Sequence, residues 1–219
     1  MSRIGVQGLL DAMPGVSYLV DRRARIVAVG ALNWRNFAAE NEGAALANPA
    51  SVVGRDLFSM IDGEDVRQSY DGMLRRLLLG ETSPLRFTYR CDSAVTRRLM
   101  LMSMSAVFRR DRPAGVLFQS LTLDQTTRPA LPLFGAVNVR QALKAQRSWP
   151  IVRVCSFCAR VLAADGRDWI DAEDYYRTGG SSMRIRVSHG ICPECVAAGP
   201  EEASFPKWRS PPSPAAHPG

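Results

Sequence analysis

Apolar residues recur along this chain in two rhythms, and the change from one to the other marks its elements. Val16 to Val20 and Arg25 to Val29 are β-rich runs flanking a polar Asp21–Arg22–Arg23–Ala24 turn, which predicts an opening hairpin. Asn33 is placed to cap a short helix through Trp34, Phe37 and Ala38, and another short turn is predicted around Leu57 to Ile61. From Glu64 to Leu79 the period is helical. Val66, Tyr70, Met73, Leu74, Leu77 and Leu78 form an apolar stripe, and Gly80 is placed to end the helix. After Pro84 the period becomes two: Phe87 and Tyr89 lie on one strand, and Gly115 to Leu123 form another. Between them, Leu99 to Phe108 carries Met100, Met102, Met104, Ala106 and Phe108 on one face.

Two strands, a block of helices and three more strands predict an α+β domain over 14–124; that order resembles a PAS domain, a five-stranded antiparallel sheet with helices on one face, although the alternation also suits other α+β folds. Residues 1–13 form an arm or short amphipathic helix through Ile4, Leu9 and Leu10. Residues 125–150 read as a linker with a basic helix from about Asn138 to Ser148, where Arg140, Lys144 and Arg147 share a face. Residues 151–199 hold a cysteine module. The tail, 200–219, is rich in proline with little apolar periodicity, so disorder is expected there.

That module has two paired motifs, Cys155–Ser156–Phe157–Cys158 and Cys192–Pro193–Glu194–Cys195, separated by 33 residues. Two tight turns, each offering two thiolates, supply the four soft ligands of a tetrahedral zinc; with no coordination position left for water, such a site is structural. Cys155, Cys158, Cys192 and Cys195 are therefore the candidate metal ligands. Two disulfides or free thiols are the other readings, and the first 20 residues lack the pattern of a secretory signal that would favour disulfides. His189 is read as a second-shell donor to a thiolate, with replacement of one cysteine ligand or a turn role as alternatives. Trp169 and Ile170 are expected to cover the metal turns, and Asp171 to Arg177 to form a short helix.

Charge and chemistry narrow the function classes. The formal charge of +7 permits nucleic acid, anionic lipid or acidic protein as partners, and no acidic residue lies between Asp124 and Asp165. No apolar run reaches membrane-spanning length, so a cytoplasmic chain with no membrane contact is expected. The only histidines are His189 and His217, so 14–124 offers no histidine ligand for haem. They also supply no base for an assembled nucleophile, base and orienting group, and the expected protein is not an enzyme. Cys91 reads as an ordinary semi-buried cysteine, or as a redox-sensitive thiol if Arg90 depresses its pKa. The methionine face reads as core, with an adaptable ligand pocket as the alternative.

The strings Pro150 to Cys158, Asp168–Trp169–Ile170 and Ser188–His189–Gly190–Ile191–Cys192–Pro193–Glu194–Cys195 resemble a cysteine-rich segment that follows PAS or receiver domains in bacterial signalling proteins, over about forty-five residues. Asn33 to Ala38 and Val53 to Phe58 resemble, more distantly, a PAS domain. The resemblance implies a PAS-like sheet, a sensory or protein-interaction role, and a protein partner in a signalling pathway, with a homodimer expected. Relatives of this kind often continue into a kinase or cyclase; this sequence has no Walker-type loop, kinase nucleotide box or GGDEF string. The expected function is a non-catalytic signal-transduction module with a structural zinc. The rival is a nucleic-acid-binding regulator that uses the zinc module and the basic linker.

Overall fold

The computed structural model describes residues 5–41, 43–82, 84–135, 150–180 and 185–199. The fold is α+β. Strands β1 (Val16–Asp21), β2 (Ile26–Val29), β3 (Leu85–Arg90), β4 (Thr96–Arg109) and β5 (Arg112–Thr127) form a PAS-like antiparallel sheet in the order β2-β1-β5-β4-β3. In the first hairpin the Asp21 carboxylate accepts the N–H groups of Arg23 and Arg25 at 2.8 and 2.9 Å, the side-chain-to-backbone turn that aspartate favours.

Helix α1 (Val6–Ala12) lies along β2 and α2 (Ala31–Glu40), while α3 (Glu64–Leu79) packs on the sheet. The predicted stripe of α3 is the buried one: Val66, Met73, Leu74 and Leu77 are enclosed, and Gly80 closes the helix at φ 72°. The core between sheet and helices contains Val20, Ile26, Phe87, Met102, Met104 and Phe118. Met100, Met102 and Met104 are all buried, as a core face requires.

One local expectation is corrected, and two others gain detail. Asn33 does not cap α2: the helix starts at Ala31, its first N–H is taken by the Asp11 carboxylate at 2.7 Å, and the Asn33 amide donates to Met13 O. Phe108, at the far end of the methionine face, is 60% exposed; the register shift beside it leaves Ala114 of β5 as the extra, unpaired residue and does not change the alternation of β4. Of the N-terminal arm or helix, Val6–Ala12 form α1. Leu10 is buried and its carbonyl accepts Ser17 Oγ, although Val6 and Leu9 stay exposed.

β5 continues to Thr127, and Leu131 and Leu133 join a second core with Val152, Val154, Val161, Ala172 and Ile185. This core belongs to a four-stranded sheet in the order β8-β7-β6-β9: β6 (Ile151–Cys155), β7 (Val161–Leu162), β8 (Trp169–Ile170) and β9 (Arg186–Gly190). Helices α4 (Ala172–Arg177) and α5 (Pro193–Ala198) complete it. β6 and β9 run parallel, so a crossover must separate them, and most of the residues between the cysteine pairs form it. The expected basic helix with Arg140, Lys144 and Arg147, the tail after 199, Ile4 and His217 lie outside the described residues. Among the described residues no helix is long and apolar enough to cross a membrane.

Candidate metal centre and adjoining cleft

Parallel pairing of β6 with β9 places Cys155 opposite Gly190, so both cysteine turns open at the same end of the second sheet. The first turn reverses through Ala159, at φ 60°, whose N–H bonds Cys155 O; Ser156 N–H reaches across to Gly190 O. In the second, Cys192 precedes α5 with Pro193 at the first helical position, where its missing N–H costs nothing. The Cys192 N–H points at Cys155 Sγ, 3.4 Å away.

The ligand atoms of Cys155, Cys158, Cys192 and Cys195 all lie within 4.8 Å of one another, and Cys158 and Cys192 Sγ are 3.6 Å apart. A tetrahedron with metal–sulfur bonds of ~2.3 Å has edges of about 3.8 Å, so four thiolates placed this way fit a zinc-sized ion. Two are buried and two half-buried. Electrostatics point the same way. Hydrogen bonds from Cys158 and Cys195 draw the Cys155 thiol far below its usual range. The same bonds push Cys158 and Cys195 up, and burial pushes Cys192 up to about 12. Negative charge is thus stabilised inside a cage of donors whose protons a cation would displace.

His189 is on β9 but its ring is turned elsewhere: Nδ1 lies 2.8 Å from Asp62 Oδ2, in the turn before α3. That contact and the ion pair of Arg153 with Asp65 bind the cysteine module to α3. Trp169 and Ile170 pair with Leu162 and Val161 on β7, at the edge of the small sheet farthest from β9. The predicted helix over Asp171 to Arg177 is present as α4, with Asp171 before its first turn.

The sequence reading missed what Phe157 does. Between two candidate ligands, its ring leaves the small module and enters the large core, 5.4 Å from Phe87 and 6.4 Å from Tyr70, while its carbonyl accepts Arg90 N–H at 2.7 Å. An aromatic in the middle of a CxxC turn is the only signal that could have found it. A second missed feature is a buried charge cluster. Asp92 has no exposed side-chain surface and pairs with Arg90 and Arg128; Arg128 also pairs with Glu173 of α4 at 2.7 Å. Arg90 is committed to Asp92, and burial of the Cys91 thiol outweighs the neighbouring Arg98 and raises its pKa; that is the ordinary-cysteine reading. Beside these contacts a cleft of about 740 Å³ opens between α3, β3 and the cysteine turns, lined by Tyr89, Arg97, Phe157, Cys158, Arg160 and Cys195, among others.

No family model and no curated protein matches the chain. Solved structures do. A phage VqmA–DPO complex is 13% identical with a TM-score of 0.39, over 52% of this chain and 50% of that one. The Vibrio cholerae VqmA dimer without target DNA is 12% identical with a TM-score of 0.42, over 56% and 52%. The PAS domain of an HTR-like protein from Haloarcula marismortui is 17% identical with a TM-score of 0.34, over 54% and 88%. The chain thus spans about half the length of the VqmA structures it matches, and the likeness is one of fold at low identity.

Proposed function

We propose that this chain is a non-catalytic signal-transduction module in which a PAS-like sheet and a structural zinc module act as one body, through protein association or a small ligand. The observation that carries this reading is Phe157: the turn that would hold the metal also fills the core of the sheet domain. A metal bound there by Cys155, Cys158, Cys192 and Cys195 would hold a wall of the sensory domain in place and leave no coordination position for chemistry. His189, tied to Asp62, would serve the contact between the two sheets. The protein is expected in the cytoplasm as a homodimer that signals to a protein partner, and the exposed Val6 and Leu9 of α1 are available to such a contact.

Elemental analysis and native mass spectrometry of the full chain test the reading together. One zinc per chain is expected, with Cys195→Ser lowering zinc content far more than His189→Ala. Equal loss in the two variants would replace the four-cysteine centre by a mixed one, and a metal-free parent protein would remove the centre altogether.

A further inference from the structure

The strongest uncancelled charge among the described residues lies far from the cysteine centre, at the other end of the large sheet. The β1–β2 turn carries Arg22, Arg23 and Arg25, and the β4–β5 turn carries Arg109, Arg110 and Arg112, all exposed. Pairing of β1 with β5 brings the two turns together, and Arg22 Nη1 donates to Pro113 O at 2.7 Å. Arg55 joins them, since its segment bonds back to Ile26 N–H and the bridge of Arg25 with Asp56 closes the edge. The acidic residues of these turns are Asp21, Asp56 and Asp111, so seven guanidinium groups face three carboxylates. None of the seven forms a salt bridge among the described residues, whereas Arg67, Arg75, Arg90, Arg128, Arg153, Arg160 and Arg177 elsewhere all do.

The local backbone gives a second, independent sign. Arg110 and Asp111 occupy the two-residue β4–β5 turn at φ 49° and 62°, a left-handed pair of positions that glycine and asparagine fill most cheaply. Aspartate tolerates that conformation, but Arg110 takes it at a backbone cost, so its side chain is presented at the tip of the turn. Beside it Phe108, one residue before the end of β4, is exposed to solvent.

We propose that this end of the sheet binds nucleic acid, through the phosphate backbone and without sequence preference, with Phe108 as a stacking face for an unpaired base. Every cation in the patch is arginine, whose planar fork matches phosphate oxygens two at a time. Basic groups around an exposed ring are the arrangement that holds single strands. An anionic membrane is disfavoured because, among the described residues beside these arginines, Phe108 is the one exposed aromatic, with only Val27 and Val53 besides, too little area for anchoring. No helix enters a groove here, so base reading is not expected.

The test is fluorescence anisotropy of the full chain with a mixed-sequence single-stranded 20-mer across 50–200 mM salt. Each phosphate contact contributes a log–log slope of about 0.7, so R109Q/R110Q/R112Q should flatten the slope by about 2 and weaken binding about tenfold or more near 0.1 M salt. F108A should weaken binding without changing the slope. R110G should raise the melting temperature and still lower affinity, which separates a binding role from damage to the fold. R67Q/R75Q/R177Q, with the same loss of charge on other surfaces, should bind as the parent does; an equal loss there would overturn the proposal in favour of bulk charge. It is equally overturned if R140Q/K144Q/R147Q abolishes binding while the turn variant keeps it, if vesicles of phosphatidylcholine and phosphatidylserine bind and the oligonucleotide does not, or if neither binds.

Discussion

Phe157 serves two structures at once, and its substitution is the sharpest single-residue probe of how they are joined. Its backbone is part of a candidate metal turn and its ring is part of the sheet core, so removing the ring should leave four sulfurs in place while opening a void against Tyr70 and Phe87. Because the ring is only partly buried, Phe157→Ala is expected to cost about 2 kcal/mol, below the 3–5 typical of a fully enclosed aromatic. Urea denaturation measures that loss, and elemental analysis should find the zinc content unchanged. Side chains of this kind explain which residues could be read from the sequence. Met100, Met102 and Met104 were legible as core because strand alternation alone decides their face. Arg90, Asp92 and Arg128 were not, because neutralisation of buried charge depends on partners from β3 and the loop after it, the residue following β5, and α4, which no local pattern brings together. The four cysteines were legible as a set, since their spacing is itself the chemistry.

Elements came through in proportion to their regularity. Helix α3 was legible in its extent because a sixteen-residue amphipathic helix closed by glycine has few other ways to bury its apolar side. α2 began earlier than Asn33 suggested, because its start is supplied by Asp11, twenty residues upstream. Glycines along these elements give a graded prediction. At Gly80 a methyl group meets nothing within 4 Å, so Gly80→Ala should cost only the left-handed backbone penalty, about 1 kcal/mol. Gly115 lies where β5 passes β1, and a Cβ there would stand 2.2 Å from Val20 O, a backbone atom that cannot swing aside. Gly115→Ala should therefore separate two central strands and cost about 3 kcal/mol or more. Urea midpoints of the two variants give the comparison, and similar values would mean that the β1–β5 contact is looser than described.

At the scale of the molecule, the two sheets are joined by polar contacts around one apolar plug. Arg128 spans them, donating to Ser93 O and pairing with Glu173, with its guanidinium 4.9 Å over the Phe134 ring. Burial alone would raise the pKa of Glu173, but its own backbone N–H and the Arg128 and Arg90 guanidinium groups outweigh that and hold it below its ordinary 4.5. A carboxylate with a depressed folded value contributes fully above the unfolded pKa and loses that contribution as pH falls through the folded one. The joint should hold at neutral pH and weaken below about pH 4.5. In a series of urea midpoints from pH 7 to pH 3, Glu173→Gln should lower the neutral plateau and flatten part of the acid decline; a parallel curve with the same acid slope would exclude Glu173 from the joint.

The parallel alignment of β6 with β9 has one more consequence, for the precision of assembly. A strand advances about 3.3 Å per residue, nearly one edge of a tetrahedron of sulfurs around zinc. If β9 slipped by a single residue against β6, Cys192 and Cys195 would be carried out of reach of Cys155 and Cys158. An ion held by all four would thus act as a gauge, admitting one alignment of two strands that are far apart in sequence, and the crossover between them could vary in length without disturbing what the gauge measures.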